Sequence, residues 1–474
     1  MTSLHQWGSS SARATCRSFV ATSAVAACVA LMLCLPVAAA EVPGADAGGP
    51  GGFQEATVAP WYLAEGSTYG GMETWVVVQN PNATAVTVDI TFQTNEGKKD
   101  GPQDFPIPAQ SRRSFILNSL APDMKDVSTQ VTASGGQVVC ERAVYGPGKA
   151  WAHESIGSRF SAAQWYLAEG STYGGMETWV VVQNPNDYQS VVDVTFYTEN
   201  GKKDGPQDFG IPAQSRRSFL LNSLVPNMKD VSTRVVCTTG FVVCERAVYG
   251  PGKAWAHESV GFPNPQSSWY LAEGSTYGGM ETWVVVMNPT PFQAVADITF
   301  HTNEGKKDGP QDFAIPAESR RSFLLNSLVP NMKDVSTQVT TTGSSVVCER
   351  AVYGPGKQWA HESVGTFLPN INWYLAEGST YGGMETWVVV MNPNASPVTV
   401  DVTFYTENGK VDGPQDFGIP AYSRRSFLLN SLVQNMKDVS THVVSTGGNV
   451  VCERAVYGPG KQWAHGSVGY GGAL

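Results

Sequence analysis

The sequence has little of what marks several large classes of protein. Charged residues make up only 15% of its 474 residues, and the net charge of -10 is distributed without any basic run. Proteins that bind nucleic acid usually cluster Lys and Arg on one face, so this pattern argues against a nucleic-acid partner. Hydrophobic residues reach 42%, which is too many for a disordered chain and predicts a globular fold.

Beyond residue 40 there is no apolar run long enough to span a bilayer. The one long apolar run, residues 19–37, follows Arg13 and Arg17 and ends in three alanines, as a secretory signal peptide does. We expect cleavage after Ala40 and a secreted protein without membrane insertion. A lipid anchor at Cys28 is the alternative reading.

Cysteine is scarce, which excludes a cysteine-dense secreted scaffold. Once the predicted signal is removed, five cysteines remain: Cys140, Cys237, Cys244, Cys348 and Cys452. Four of them recur every 104 residues, one to a repeat, so no repeat closes a disulfide with its periodic cysteine alone. Cys237 and Cys244 flank a short turn, so they could form a disulfide across a hairpin, and the sequence does not decide whether they do.

A long exact repeat is the dominant feature of the chain. The stretch Trp61 to Val78 returns unchanged from Trp165, Trp269 and Trp373. Such a period indicates a tandem array of four modules, preceded by a flexible leader over residues 41–60. The connectors between modules vary in sequence but not in length, which indicates either a fixed packing of neighbours or recent duplication.

Each module reads as a series of short strands separated by Gly, Pro and Asn turns. Val86, Val88, Ile90 and Phe92 alternate with polar residues and predict a strand with one buried face. Residues 127–132 and 137–145 look like a hairpin. We therefore predict an all-β protein of four tandem antiparallel β-sandwiches, covering residues 61–158, 165–262, 269–366 and 373–474.

The motifs Glu-Thr-Trp-Val-Val-Val-Gln-Asn-Pro at residues 73–81, Pro-Ala-Gln-Ser-Arg at 108–112 and Val-Val-Cys-Glu-Arg at 138–142 carry a family resemblance. Each module resembles secreted bacterial repeat domains of unknown function and, more distantly, the sensory rhodopsin transducer superfamily. The resemblance implies small β-sandwiches that bind small molecules such as sugars, without catalysis. It also implies that four such domains can associate.

The candidate ligand site of each module combines residue types that suit a sugar. Aromatic rings can stack on the apolar face of the sugar, and carboxylates and a guanidinium can hold its hydroxyl groups. Trp151 is one of the aromatic residues considered for this site. The predicted ligand-binding residues are Trp61, Glu65, Glu73, Trp75, Arg142 and His153, with Trp165, Glu169, Glu177, Trp179, Arg246, His257, Trp269, Glu273, Glu281, Trp283, Arg350, His361, Trp373, Glu377, Glu385, Trp387, Arg454 and His465. Packing tryptophans and cross-strand ion pairs are the structural alternative.

Catalysis and metal binding find less support. Glu65 and Glu73 could form a glycosidase pair, but such enzymes set one acid pair in one deep cleft. No serine lies in a nucleophile-elbow pattern. A calcium loop around Asp100 and Asp104 is conceivable but lacks EF-hand spacing, and one periodic histidine per repeat is too few for zinc. We expect no enzyme activity, no cofactor and no metal.

The sequence thus favours a secreted array that binds an extracellular ligand, a carbohydrate or another small molecule, through repeated weak sites whose linkage raises avidity. That function predicts a pocket in each module lined by Trp75, Glu73 and Arg142. The alternative is a structural or adhesive stalk with no small ligand.

Overall fold

Short antiparallel strands dominate the computed structural model, which describes residues 59–94 and 96–472. The predicted signal peptide and most of the predicted leader lie outside these residues. In this part of the chain, helix is confined to single turns at Leu117–Ser119, Leu221–Leu224, Leu325–Ser327, Leu429–Ser431, Pro147–Lys149, Pro251–Lys253, Pro355–Lys357 and Pro459–Lys461. Within the described ranges, no helix is long and apolar enough to cross a bilayer.

The four repeats contain the same strands in the same order. Repeat 1 has β1 (Trp61–Leu63), β2 (Glu73–Asn80), β3 (Val86–Thr94), β4 (Gly97–Asp100), β5 (Phe105–Ile107), β6 (Ser111–Ile116), β7 (Val127–Ser134), β8 (Val139–Tyr145) and β9 (Ala152–Ile156). Repeat 2 has β10 (Gln164–Leu167), β11 (Glu177–Asn184), β12 (Ser190–Thr198), β13 (Gly201–Asp204), β14 (Phe209–Ile211), β15 (Ser215–Leu220), β16 (Val231–Thr239), β17 (Val243–Tyr249) and β18 (Ala256–Val260).

Repeat 3 has β19 (Ser268–Leu271), β20 (Glu281–Asn288), β21 (Ala294–Thr302), β22 (Gly305–Asp308), β23 (Phe313–Ile315), β24 (Ser319–Leu324), β25 (Val335–Thr342), β26 (Val347–Tyr353) and β27 (Ala360–Val364). Repeat 4 has β28 (Asn372–Leu375), β29 (Glu385–Asn392), β30 (Val398–Thr406), β31 (Gly409–Asp412), β32 (Phe417–Ile419), β33 (Ser423–Leu428), β34 (Val439–Thr446), β35 (Val451–Tyr457), β36 (Ala464–Val468) and β37 (Tyr470–Gly471).

Every repeat folds into two sheets. In repeat 1 a five-stranded sheet has the order β1-β7-β3-β4, with β5 also paired to β3, and a four-stranded sheet has the order β6-β2-β8-β9. The alternating stretch forms β3 as predicted: Val88, Ile90 and Phe92 are fully buried, and Ile90 lies opposite Val131 of β7. Repeats 2 to 4 reproduce both sheets, and β37 adds a strand to the last five-stranded sheet.

The eight sheets form the blades of one β-propeller, so the prediction of four separate β-sandwiches is wrong, although the all-β class is right. Each five-stranded sheet packs on the four-stranded sheet of its own repeat and on that of the next repeat, through β3 with β15, β12 with β24, β21 with β33 and β30 with β6. The last of these contacts joins repeat 4 to repeat 1 and closes the ring.

The centre of the ring is built from the last strand of each four-stranded sheet. β9 contacts β18, β18 contacts β27, β27 contacts β36, and β36 contacts β9. All residues of β8 and of β9 are buried. A strand of an isolated sandwich would expose one face, so this two-sided burial is the physical reason that the sandwich prediction fails.

The predicted hairpin between residues 127–132 and 137–145 is also absent. β7 belongs to the five-stranded sheet and β8 to the four-stranded sheet, so the segment between them crosses from one blade to another. The same crossing separates Cys237 on β16 from Cys244 on β17. Both thiols are free and buried, and the Cys237 Sγ lies 3.1 Å from the carbonyl oxygen of Thr239.

Candidate functional site

Trp61, the first residue of the predicted constellation, lies in the hydrophobic core. Its side chain is 1% exposed, and its Nε1 donates a hydrogen bond to the carbonyl oxygen of Val138 at 2.7 Å. Trp165, Trp269 and Trp373 are buried in the same way and donate to the corresponding carbonyls. The structure therefore places these four indoles in the framework of the blades.

Arg142 lies in the middle of β8 and is completely buried between repeats 1 and 2. Its guanidinium is 3.0 Å from the carboxylate of Glu65 in its own repeat and 3.0 Å from that of Glu245 in the next. A third carboxylate, from Glu258 of repeat 2, contacts the same Nη2 atom. One arginine and three glutamates thus form a buried cluster at the junction of two repeats.

Equivalent clusters lie at the other junctions, including the one between repeats 4 and 1 that closes the ring. Arg246 pairs with Glu169, Glu349 and Glu362, and Arg454 of repeat 4 pairs with Glu377 and with Glu141 and Glu154 of repeat 1. The junction of repeats 3 and 4 differs, because Gly466 stands where the other repeats have the third glutamate. There the carboxylates that pair with Arg350 among the described residues are those of Glu273 and Glu453, at 3.1 and 2.6 Å.

Burial changes the acid–base behaviour of these clusters. It raises the pKa of Glu258 well above the ordinary value, against the lowering effect of the Arg142 guanidinium. Glu154 and Glu362 are affected in the same way. Burial also lowers the pKa of His153 well below its ordinary value, and the nearby Arg142 lowers it further. The imidazole of His153 is therefore neutral at pH 7.

His153 is held between aromatic rings from two repeats. It stacks on Trp151, with ring centroids 5.5 Å apart, and meets Tyr249 of repeat 2 edge to face at 6.0 Å. Trp151 approaches the chain so closely that a Cβ on Gly146 would lie 2.2 Å from its ring, so only glycine fits there. This arrangement makes His153 and Trp151 part of the contact between repeats.

An open cleft lies above each of three junctions. At the junction of repeats 2 and 3 its volume is about 780 Å³, and its floor is the face of the four-stranded sheet that carries Trp283, Val285, Ala351 and Tyr353. Loops of repeat 2 that contain Tyr173, Lys229 and Trp255 form the opposite wall. Equivalent residues line clefts of about 400 Å³ between repeats 3 and 4 and about 1070 Å³ between repeats 4 and 1. We call these the junction clefts.

The predicted pocket residues are divided between the junction cleft and the layer beneath it. Trp75 is half-buried and lines the cleft between repeats 4 and 1. Glu73 lies at its edge, 3.6 Å from Lys149. Arg142 lies below in the buried cluster, where it pairs with Glu65, Glu245 and Glu258. The structure therefore brings together Trp75 and Glu73 but not the whole predicted set, and it puts the opening between repeats.

The predicted ligand-binding set leaves out several residues of the junction clefts. Arg320 crosses the junction to Asp230 at 2.8 Å and also donates to the carbonyl oxygens of Gly170 and Val231. Arg321, Lys229 and Tyr173 line the same cleft. A signal was available, because the blocks that contain these residues are the ones that do not vary among the four copies.

The turn considered for calcium holds a different arrangement. The backbone N–H of Asp104 donates to the Asp89 carboxylate at 2.6 Å, and Gln103 donates to the carbonyl oxygen of Ile90 at 2.8 Å. Within residues 59–94 and 96–472, no group of three or more His, Cys, Asp or Glu side chains is arranged to hold a metal ion.

Comparison with known proteins identifies a family without a described role. The family model described as "Family of unknown function (DUF5719)" matches four times, at residues 55–141, 161–244, 263–349 and 367–453. No curated protein matches the sequence. The four matches follow the 104-residue repeats.

Two solved structures show only weak likeness. The crystal structure of Thermotoga maritima 1070 is 18% identical, covers 22% of this chain and 96% of that one, and has a TM-score of 0.20. The Streptomyces avermitilis alpha-L-rhamnosidase complexed with L-rhamnose is 6% identical, covers 78% of this chain and 54% of that one, and has a TM-score of 0.15. Neither likeness is close enough to transfer a fold or an activity.

Proposed function

Because the chain belongs to the family of unknown function DUF5719, its function has to be argued from its own geometry, and we propose that it is a secreted, non-enzymatic protein that binds carbohydrate in the junction clefts. The observation that carries this proposal is the cleft floor. A half-buried tryptophan, Trp75, Trp283 or Trp387, lies there beside a tyrosine and a ring of charged groups.

The chemistry of the cleft suits a sugar. The open face of an indole packs against the C–H face of a pyranose ring, and neighbouring charged and hydroxyl groups hold its hydroxyl groups through hydrogen bonds. Volumes of about 400 to 1070 Å³ suit one to a few sugar units. Several such clefts on one rigid ring also favour a polymeric ligand, since each bound unit raises the local concentration of the next.

The ion pairs that the carboxylates form favour a binding role over catalysis. Glu65 is held by Arg142 at the base of its junction, and Glu73 pairs with Lys149 at the edge of a cleft. A glycosidase would need two carboxyl groups that face each other across a bound substrate. The alternative is a structural or adhesive role, favoured by the buried ion pairs, which join repeats to one another.

The test is glycan binding by the full chain and by a variant with Trp75→Ala, Trp179→Ala, Trp283→Ala and Trp387→Ala. Truncating an aromatic anchor at the centre of a contact costs ~2 kcal/mol or more, so we expect at least about tenfold weaker binding on a glycan array and in calorimetry. A control variant, Tyr188→Ala with Phe241→Ala and Phe292→Ala, removes exposed aromatics outside the clefts and should bind normally. Absence of glycan binding by the unmodified chain would contradict the proposal.

A further inference from the structure

One wall of each junction cleft carries an aspartate that uses only one of its two side-chain oxygens. In the cleft between repeats 2 and 3 this residue is Asp230. Its Oδ1 lies 2.8 Å from the Arg320 guanidinium and accepts a hydrogen bond from the Ser322 hydroxyl at 3.0 Å. In the part of the chain that the structure describes, no group donates a hydrogen bond to its Oδ2. The side chain is 39% exposed, so this second oxygen is open to the cleft.

The strand register puts this carboxylate beside the floor of the cleft. Ser322 on β24 lies opposite Val285 of β20, and residues two positions apart on a strand share a face, so Ser322 lies on the face that carries Trp283. Val285 and Trp283 are separated by about 7 Å along the strand. The open oxygen of Asp230 and the indole of Trp283 are therefore placed to contact one sugar ring together.

The backbone on both sides of Asp230 is fixed as well. The N–H of Thr172 donates to the carbonyl oxygen of Met228 at 2.8 Å, and the N–H of Met228 donates to the Thr172 hydroxyl at 2.9 Å. The N–H of Val231 donates to the carbonyl oxygen of Gly170 at 2.9 Å. A ligand does not have to order this carboxylate when it binds, so the loss of conformational entropy on binding is small.

The arrangement recurs at every junction, always through Oδ1 and at distances of 2.7 to 3.1 Å. Asp126 is held by Arg216 and Ser218, Asp334 by Arg424 and Ser426, and Asp438 by Arg112 and Ser114. Asp334 and Asp438 line their clefts as Asp230 does. Arginine and carboxylate often pair through two parallel hydrogen bonds, one to each oxygen. Here both partners use the same oxygen, which leaves one acceptor per junction for a ligand.

We propose that Asp230, Asp334 and Asp438, with Asp126 in the equivalent place, determine specificity by accepting a hydrogen bond from a hydroxyl group of a neutral sugar stacked on the floor tryptophan. This inference rests on the proposed carbohydrate-binding function and narrows its ligand class. An ionised carboxylate accepts hydrogen bonds and donates none, so it suits a hydroxyl donor. The same charge repels a carboxylate or sulfate on the ligand, which selects against acidic sugars.

The experiment compares matched pairs of trisaccharides that differ only at C6: galactose with galacturonic acid, glucose with glucuronic acid, and mannose with mannuronic acid. Calorimetry with the full chain at pH 7 measures the dissociation constant of each. At least one neutral trisaccharide should bind about fivefold or more tightly than its acidic partner, because the acidic sugar brings a like charge to the cleft aspartate.

The matched variant carries Asp126→Asn, Asp230→Asn, Asp334→Asn and Asp438→Asn. Asparagine keeps one oxygen for the arginine and the serine but presents an amide NH2 group to the cleft in place of the second oxygen. The neutral sugar should then bind about tenfold more weakly, and its advantage over the acidic partner should disappear.

A control makes the same change of net charge outside the clefts, with Asp100→Asn, Asp204→Asn, Asp308→Asn and Asp412→Asn. These aspartates are exposed at the ends of β4, β13, β22 and β31, and the control should keep both the affinity and the preference. Thermal melting checks that both variants fold. If the fourfold cleft variant does not fold, Asp230→Asn alone alters a single junction and should reduce the calorimetric stoichiometry by one site.

The outcomes separate the inference from the function on which it rests. Acidic sugars that bind as tightly as neutral ones, or more tightly, would overturn the inference and leave the carbohydrate site standing. A neutral preference that survives in the folded cleft variant would overturn the assignment to these aspartates. If none of the sugars bound, the proposed function would fail together with the inference.

Discussion

A guanidinium with no solvent exposure is tolerated only where carboxylates and hydrogen bonds replace its water. Arg246 meets this condition through Glu169, Glu349 and Glu362, and the last two come from the next repeat. The Glu349 carboxylate also accepts the backbone N–H groups of Ala168 and Glu169, at 2.9 and 2.7 Å. These residues therefore stabilise the junction rather than a ligand.

The missing carboxylate at Gly466 allows a matched test of the buried clusters. Arg246→Met should destabilise the protein by ~3–5 kcal/mol, because it leaves three buried carboxyl groups without their cation. Arg350→Met leaves only two, so its loss should be smaller. Urea unfolding followed by tryptophan fluorescence measures both. A loss at Arg350 equal to or larger than that at Arg246 would contradict this account.

His442 is a partly buried histidine whose ring stacks on that of Tyr374, with the ring centroids 4.3 Å apart. Burial lowers the pKa of His442 to about 4. The unfolded chain takes up a proton near pH 6.5 and the folded chain only near pH 4, so this contribution to stability is present above pH 6.5 and is lost as the pH falls through 4.

The variant His442→Gln has the residue found at the equivalent positions of repeats 1 and 3, Gln130 and Gln338. We expect acidification from pH 7 to pH 4 to destabilise the original protein by ~1–2 kcal/mol more than the variant, after allowing for the partial exposure of His442. Unfolding free energies measured at intervals of half a pH unit give the difference. If the difference in unfolding free energy between the original protein and the variant did not change with pH, the His442 imidazole would titrate in the folded protein as it does in the unfolded chain.

At the scale of elements, the central strands carry a chain of hydrogen bonds from one repeat to the next. The backbone N–H of Val260 on β18 donates to the Ser155 hydroxyl of β9 at 2.9 Å, and Val364 on β27 donates to Ser259 of β18 at 2.8 Å. The bonds from Val468 to Ser363 and from Ile156 to Ser467 complete the circle.

Removing one of these hydroxyl groups should weaken the whole ring. Ser259→Ala leaves the N–H of Val364 buried without an acceptor, which costs ~1–3 kcal/mol. Ser223→Ala removes a hydroxyl that donates to the carbonyl oxygen of Leu220 at an exposed turn and should change the melting temperature little. Calorimetry measures the melting temperatures of the two variants. Equal melting temperatures would mean that a water molecule replaces the Ser259 hydroxyl as the acceptor for the Val364 N–H.

Individual strands could be predicted from the sequence, but their partners could not. The segment around Val86 to Phe92 forms β3, and residues 127–132 and 137–145 fall on β7 and β8, all within a few residues of the expected bounds. The sequence pattern could not tell which repeat covers a given strand, because four near-identical copies offer every residue the same partner at several places along the chain.

Arg142 illustrates this limit. Its contact with Glu65 spans 77 residues and lies within one repeat, whereas its contact with Glu258 spans 116 residues and joins two repeats. Glu258 and its equivalent in repeat 1, Glu154, have the same preceding neighbours in the sequence, Trp-Ala-His, so the sequence alone does not say which of them contacts Arg142. A spacing argument therefore supports separate modules as well as a closed ring, and the candidate site was placed within a module although it lies between two. Only three-dimensional contact distinguishes the two arrangements.

In the whole ring, the described residues of repeats 4 and 1 meet through non-covalent contacts. The contacts between repeats 4 and 1 match those at the other junctions: Arg112 pairs with Asp438 at 2.7 Å, and Arg454 contacts Glu141 at 3.1 Å. Tyr470 packs on Trp61 with ring centroids 5.4 Å apart, and Arg159 lies over both rings. Each of the other three junctions has the equivalents of the Arg112–Asp438 and Arg454–Glu141 pairs, and there a connecting segment also joins the two repeats.

This difference predicts where the ring opens first. Repeats 4 and 1 are the last and the first of the array, so no connector holds them together when their contact breaks. The connector limits separation at every other junction, so the conformational entropy gained on opening is largest at the closure. The N–H of Ile156, which donates to Ser467 of repeat 4, should therefore exchange with solvent deuterium faster than that of Val260 or Val364. Amide hydrogen exchange on the intact chain compares these chemically matched positions within one sample. Protection of Ile156 equal to that of Val260 would mean that the ring opens only by global unfolding and that the non-covalent closure is no weaker than the linked junctions.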